Sequence, residues 1–280
     1  MPPDLLGSLS ALAASFSWGI GDFSGGYASR RHHPFQVLTI SALIGLVPLV
    51  ILILVSAEKL PPARDLWLGG LAGLTGTVGL AIFYRGLMLG KSAVVAPVAS
   101  VIGAIVPLTI GMVQSGLPAG QRLLGFAFGL TGIWMVSQEQ PAAGELGESG
   151  IRYGLGAGLG FGSFLTLIAM VGQQAVYAPL IASKLGGLLF SIIYLRRYNM
   201  PVPKLSSNPP AALAGLMDTA GNIFYLLGTQ LARLDVVAAL SSLYPAGPVL
   251  LGRIILNERV TRRQWYGVLV SIGAIILLTI

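Results

Sequence analysis

The sequence predicts an all-α integral membrane protein of about ten transmembrane helices, arranged as two inverted five-helix repeats. Three observations predict it. First, 54% of the residues are hydrophobic and only 10% are charged, whereas a soluble domain carries about 25% charged residues to keep its surface compatible with water. Second, ten segments are long enough, at about 1.5 Å of rise per residue, to cross a hydrocarbon core about 30 Å thick. Third, the chain repeats itself. Shifting residues 73–96 by 142 onto 215–238 gives nine identities in 24 positions, including Gly73/Gly215, Thr77/Thr219, Gly79/Gly221 and Gly86/Gly228. The 38 glycines suit such a protein, because small residues let helices approach closely in lipid.

The spans read as 5–28, 35–55, 66–88, 93–113, 121–137, 151–172, 175–195, 211–231, 236–255 and 262–279. The first apolar run stops ahead of Arg30-Arg31-His32-His33-Pro34, and the second is free of charge from Phe35 to Ala57. Pro61-Pro62 separates the third, and the fourth sits in the charge-free run from Ser92 to Gln121 and carries Pro97 and Pro107. In the fifth, Gly125 and Gly129 form a small-xxx-small pair. Gln138 to Ser149 is the longest polar stretch, with Pro141, Glu139, Glu145 and Glu148, and reads as a linker. Tyr153 to Ser183 is too long for one span and divides at Gln173-Gln174. Proline-rich Asn199 to Pro210 separates spans seven and eight; Pro245 and Pro248 kink the ninth; Arg262-Arg263 opens the tenth.

The expected organisation is a first five-helix repeat over 1–137, a linker over 138–150 and a second repeat over 151–280. Five is an odd number, so the halves enter the membrane in opposite orientations, the plan of many secondary transporters that bind their solute near the midplane between repeats. With the termini on one side, that side holds four basic residues (Lys59, Arg64, Arg122 and Arg233) and the other holds ten, among them Arg30, Arg31, Arg196 and Arg197. The positive-inside rule therefore places the termini outside the cytoplasm.

Several classes are excluded. With no cysteine, the chain has no disulfide, thiolate nucleophile or Cys-metal site. The net charge of +7 is scattered between apolar runs, which does not suit nucleic-acid binding. Gly86-Leu87-Met88-Leu89-Gly90-Lys91-Ser92 has one residue too few between its glycines for a phosphate loop. Adjacent His32 and His33 cannot share a helix face as metal ligands. No cofactor, metal site or enzyme constellation is expected, and no cleavable signal peptide, because no basic segment precedes the first apolar stretch.

Trp18-Gly19 in the first span, the five-plus-five repeat, and Leu256-Asn257-Glu258 leading to Gly267 before the last span carry a likeness over nearly the whole chain. On these features the sequence resembles the drug/metabolite transporter superfamily, in its EamA-like ten-helix branch. The shift of 142 places Gly116 against Glu258, so the first half lacks the matching acid. The resemblance implies secondary transport of small metabolites across the cell (inner) membrane by a multi-pass protein, as an exporter of amino acids or similar solutes. Uptake of a sugar or choline-like solute is the alternative within that class. An integral-membrane enzyme or a scaffold is the alternative outside it. The implied partners are a small-molecule substrate, the lipid bilayer and coupled protons; the oligomeric state stays open.

Charge inside a membrane costs from about 2.5 to more than 10 kcal/mol, so intramembrane ionisable residues need partners, water or a function. Ser15, Trp18, Asp22 and Gly25 share one face of span one. Asp218, Asn222 and Tyr225 share a face of span eight and offer an acceptor, an amide and an aromatic wall. Lys184 stands mid-span in Ile181-Ala182-Ser183-Lys184-Leu185, either in a permanent pair with Asp218 or Asp22 or as receptor for a substrate carboxylate. The second option favours amino-acid-like solutes. Tyr244 lies beside the Pro245 kink. The expected substrate-binding set is Trp18, Asp22, Lys184, Asp218, Asn222, Tyr225 and Tyr244, with Phe83, Tyr84 and Phe164 as further candidates for the pathway. Arg85 and Arg253 are expected to snorkel, Glu258 to anchor the last loop, and spans five and ten to be peripheral.

Overall fold

The computed structural model describes residues 2–89, 92–137, 148–173, 175–244 and 261–279. Among them it contains ten α-helices, one short 3-10 turn at Leu205–Ser207 and no strand. The helices are α1 (Pro3–Ala28), α2 (Pro34–Ser56), α3 (Ala63–Met88), α4 (Ser92–Ser115), α5 (Gly120–Ser137), α6 (Glu148–Ala169), α7 (Tyr177–Arg197), α8 (Pro209–Leu231), α9 (Leu234–Ser241) and α10 (Arg262–Thr279). By length and hydropathy, five of them contain a segment able to cross a membrane: α2, α3, α4, α6 and α7.

Local chemistry sets the helix ends. Proline opens α1, α2 and α8, where its missing N–H costs nothing. The His33 ring accepts from the Phe35 amide at 3.4 Å while Gln36 reaches back to the His33 amide at 3.1 Å, giving α2 a reciprocal cap. The N-terminus of α7 is capped from another part of the chain. The Glu58 carboxylate, in the α2–α3 loop, accepts from the amides of Val176 (2.8 Å), Tyr177 (3.0 Å) and Ala178 (2.9 Å). Nearby, buried Asp65 accepts from the Gly172 amide at 3.2 Å. These contacts fix the α6–α7 connection, so α6 ends at Ala169 and not at 172, and α7 starts at Tyr177 and not at 175.

Packing is mostly between the halves: α1 on α8, α3 on α6 and α7, α2 on α7 and α8, α4 on α6, and α5 on α10. Glycine makes these crossings close. A Cβ on Gly73 would overlap the Ser183 backbone, and one on Gly215 would overlap the Ser41 backbone. Likewise Thr77 lies against Gly187, and Thr219 against Gly45. Each contact is the other shifted by 142, as two-fold relatedness requires. The same reciprocity holds at the periphery, where Gly125 meets Leu277 and Leu278 while Gly267 meets Met135 and Val136. The contact order also gives direction. Gly69, Gly73 and Thr77 meet Pro179, Ser183 and Gly187 in turn, so α3 and α7 run parallel, whereas α5 and α10 run antiparallel.

As expected of spans five and ten, α5 and α10 pack chiefly on each other, and Leu124, Phe128, Trp265 and Leu269 leave an apolar outer face. The ninth helix stops at Ser241, followed by a turn through Tyr244. Pro245, Pro248, Arg253, Glu258 and the first part of the Leu256–Gly267 stretch, 256–260, lie outside the described residues, as do Lys91, Gln174 and residues 138–147 of the expected linker. Residues 148–150, placed in that linker by the sequence, belong to α6.

Candidate functional site

A cavity of about 130 Å³ lies at the centre of the crossings, between α1, α2 and α3 on one side and α6, α7 and α8 on the other. Helix α1 brings Trp18 and Asp22 to it, one turn apart, because Gly21 lets α1 run close against the α8 backbone at Ala214 and Asp218. Helix α8 contributes Asp218 and Asn222 at i, i+4, helix α7 contributes Lys184, and Tyr244 enters from the turn after α9.

Four of these side chains form one polar chain across three helices. The Lys184 ammonium pairs with Asp218 Oδ2. The Asn222 amide donates to the same oxygen at 3.3 Å, and the Trp18 indole N–H donates to Asn222 Oδ1 at 3.0 Å. Lys184 is buried, with a side chain 9% exposed, against 33% for Asp218. Its charge is therefore compensated within the protein.

Asp22 is different. It faces the same cavity within the electrostatic reach of Asp218, Tyr84 and Tyr244. Among the described residues no donor or cation pairs with it. The rest of the wall is aromatic or apolar, including Tyr84, Phe161 and Phe164. The Tyr244 hydroxyl lies 3.4 Å from the Ser100 hydroxyl.

The structure thus brings Trp18, Asp22, Lys184, Asp218, Asn222 and Tyr244 to one cavity, and does not bring Tyr225 there. Tyr225 is fully buried; its hydroxyl donates to the Leu165 carbonyl at 3.1 Å and its ring lies 5.6 Å from that of Trp18. Of the further aromatic candidates, Tyr84 and Phe164 line the cavity, while Phe83 packs behind them against Phe161. Arg85 is exposed in the last turn of α3. Sequence reasoning missed Ser41, Thr77, Ser183 and Phe161 as lining residues. Thr77 carried a signal in its identity with Thr219, and Ser41 and Ser183 in their identity with each other, at the shift of 142. No group of three His, Asp or Glu residues able to hold a metal occurs among the described residues, where His32 bonds Asn208 and His33 caps α2.

Comparison with known proteins follows the same two-part division. The model of the EamA-like transporter family matches residues 5–138 and again residues 148–280. No curated protein matches the chain. Among the solved structures 22 chains match. One, described as "Crystal structure of protein", has a TM-score of 0.73 and 17% sequence identity over 97% of this chain and 95% of its own. That likeness is one of fold.

Proposed function

Because the chain belongs to the EamA-like transporter family, which makes it a multi-pass membrane transporter of small solutes, we propose that it moves an amino acid or similar small metabolite outward through the central cavity. The halves, 1–137 and 151–280, act as inverted repeats of five spans each and rock about the bound solute across the cell (inner) membrane. The carrying observation is that six helices, three from each half, meet at one cavity whose polar groups are few and convergent. The size of the space, about 130 Å³, suits a small solute better than drug-sized ligands, which fill about 300–1,000 Å³.

Inversion is supported by helix direction. If successive spans alternate, parallel α3 and α7 belong to halves of opposite sense, and so do antiparallel α5 and α10. In this proposal Trp18, Asp22, Lys184, Asp218, Asn222 and Tyr244 border the solute and Tyr225 supports Trp18 from behind. Protons are the coupling ion, exchanged at a cavity carboxylate.

The test is counterflow in liposomes. Purified protein is reconstituted with a panel of unlabelled amino acids inside, and uptake of the same labelled solutes is followed with and without an imposed pH gradient. Accumulation of at least one solute, lost when the cavity is filled by Ala42→Leu, supports the proposal. Flux that survives the filled cavity refutes it.

A further inference from the structure

The charges around the cavity do not balance. Lys184, Asp218 and Asp22 all line it, and Lys184 is already engaged by Asp218. The oxygen that Lys184 uses is held in place by Asn222, which Trp18 holds in turn. A solute carboxylate at the Lys184 ammonium would compete with Asp218 for a side chain only 9% exposed, and would add a third carboxylate beside Asp218 and Asp22 around one cation. Surplus charge there is strongly unfavourable. Lys184 is therefore a poor receptor for a carboxylate, although the sequence alone left that role open. The group that lacks a counter-charge among the described residues is the Asp22 carboxylate. Aromatic rings stand around the same space, with Trp18 on the next turn of α1 and Tyr84, Tyr244 and Phe161 on other walls. A carboxylate among aromatic faces is the recognition chemistry of an ammonium group, by ion pairing on one side and cation–π attraction on the others.

We infer that the cavity reads the ammonium group of its solute, seated between Asp22 and the aromatic wall, and does not read a carboxylate. This inference rests on the cavity being the transport site and names what that site recognises. The fixed Lys184–Asp218–Asn222–Trp18 chain serves as a rigid polar wall beside the ammonium subsite. A simple amine then binds as well as the amino acid of the same skeleton.

The experiment uses three matched probes on the purified full chain by titration calorimetry: propylammonium, 2-aminobutyrate and butyrate. The expected result is that the first two bind within about threefold of each other and butyrate does not bind, because one charge-assisted contact is worth roughly tenfold or more in affinity. Asp22→Asn should weaken propylammonium at least about tenfold with an unchanged chromatographic profile, and Asp22→Glu should recover part of the loss. If Asp22→Asn does not fold, Asp22→Glu together with the probe series decides. A preference of about tenfold or more for 2-aminobutyrate over propylammonium would overturn the inference, as would propylammonium binding unchanged in Asp22→Asn, or no binding of propylammonium at all. Ala42→Leu separates this failure from that of the site itself. Amine binding that persists when the cavity is filled shows that the cavity is not the site. Binding abolished by Ala42→Leu and untouched by Asp22→Asn overturns only the ammonium assignment.

Discussion

Breaking the Lys184–Asp218 pair from either side should cost about as much as removing it whole. At about 4 Å and an effective dielectric near 20, two unit charges attract by about 4 kcal/mol. Truncating one partner of a buried pair typically costs about 3–5 kcal/mol, because the other charge is left bare. Here the partners differ in exposure, at 9% for the Lys184 side chain and 33% for that of Asp218. In Lys184→Met the remaining carboxylate keeps its Asn222 contact and some water, so the loss should be about 2 kcal/mol. In Asp218→Asn the nearly enclosed ammonium has neither, and the loss should be about 3 kcal/mol. The double variant Lys184→Met/Asp218→Asn should fall short of the sum by about 2–3 kcal/mol. Reversible unfolding in mixed micelles, followed by the fluorescence of the four tryptophans, measures all three. A double-variant loss within about 0.5 kcal/mol of the sum would mean that the two charges are uncoupled and refute the polar chain as described.

Three other outcomes are expected. Gly73→Ala and Gly215→Ala each press a methyl into backbone across the halves, at Ser183 and Ser41, and should each cost about 1–3 kcal/mol, while Gly120→Ala, with open space around it, should stay within about 0.5 kcal/mol in the same unfolding assay. Glu58→Ala removes the acceptor shared by three α7 amides and should destabilise by about 1–2 kcal/mol, with hydrogen exchange accelerated at Val176, Tyr177 and Ala178 ahead of the rest of α7. Because the chain has no cysteine, a single cysteine beside Arg31 reports orientation directly. Labelling only from the cytoplasmic face is expected from the excess of basic residues on that side, and labelling only from outside would reverse the topology.

Much of the fold was legible because hydropathy and chain breaks are local signals. Most helix ends fall within three residues of the sequence-derived spans, since Pro34, Pro209 and the charged turns act where they stand. The exception is the end of α9, at Ser241 and not at 255, while the smaller offsets at the end of α6 and the start of α7 are set by distant residues. Glu58 and Asp65 act on the α6–α7 connection from more than a hundred positions away, and no periodicity reports that. The site was legible to the same extent. Helical spacing correctly put Trp18 with Asp22, and Asp218 with Asn222, on shared faces. The same spacing misplaced Tyr225, which shares the Asp218 face but stands seven residues on, about 10 Å further along the axis, beyond the cavity and against Leu165. Facing is periodic in sequence; depth is not. The partner of Lys184 was open for a related reason, since Asp22 and Asp218 both face the cavity and only the crossing of α7 and α8 decides between them.

The repeat also shows where the chemistry departs from the scaffold. Applying the shift of 142 to the lining maps Ser41 onto Ser183, Ala42 onto Lys184, Gly76 onto Asp218, and Leu80 onto Asn222. All eight residues line the cavity. The same shift maps Asp22 onto Phe164, which also lines it. Two-fold packing therefore presents equivalent positions from both halves, yet in four of these five pairs only one member is polar. The small partner Gly76 is not idle: it lies against the Phe164 side chain, where an added Cβ would be crowded. A change that restored symmetry, such as a second lysine at 42, would place two ammonium groups in a space built for one and remove part of its volume. The glycines at the crossings, Gly45/Gly187 and Gly73/Gly215, kept their identity in both halves because they set how closely helices meet. In the proposed transport role, the unequal lining positions give a solute polar groups to meet with room for itself beside them. Symmetry holds the halves together, and its local absence around Asp22, Lys184 and Asp218 gives the cavity its unequal polar lining.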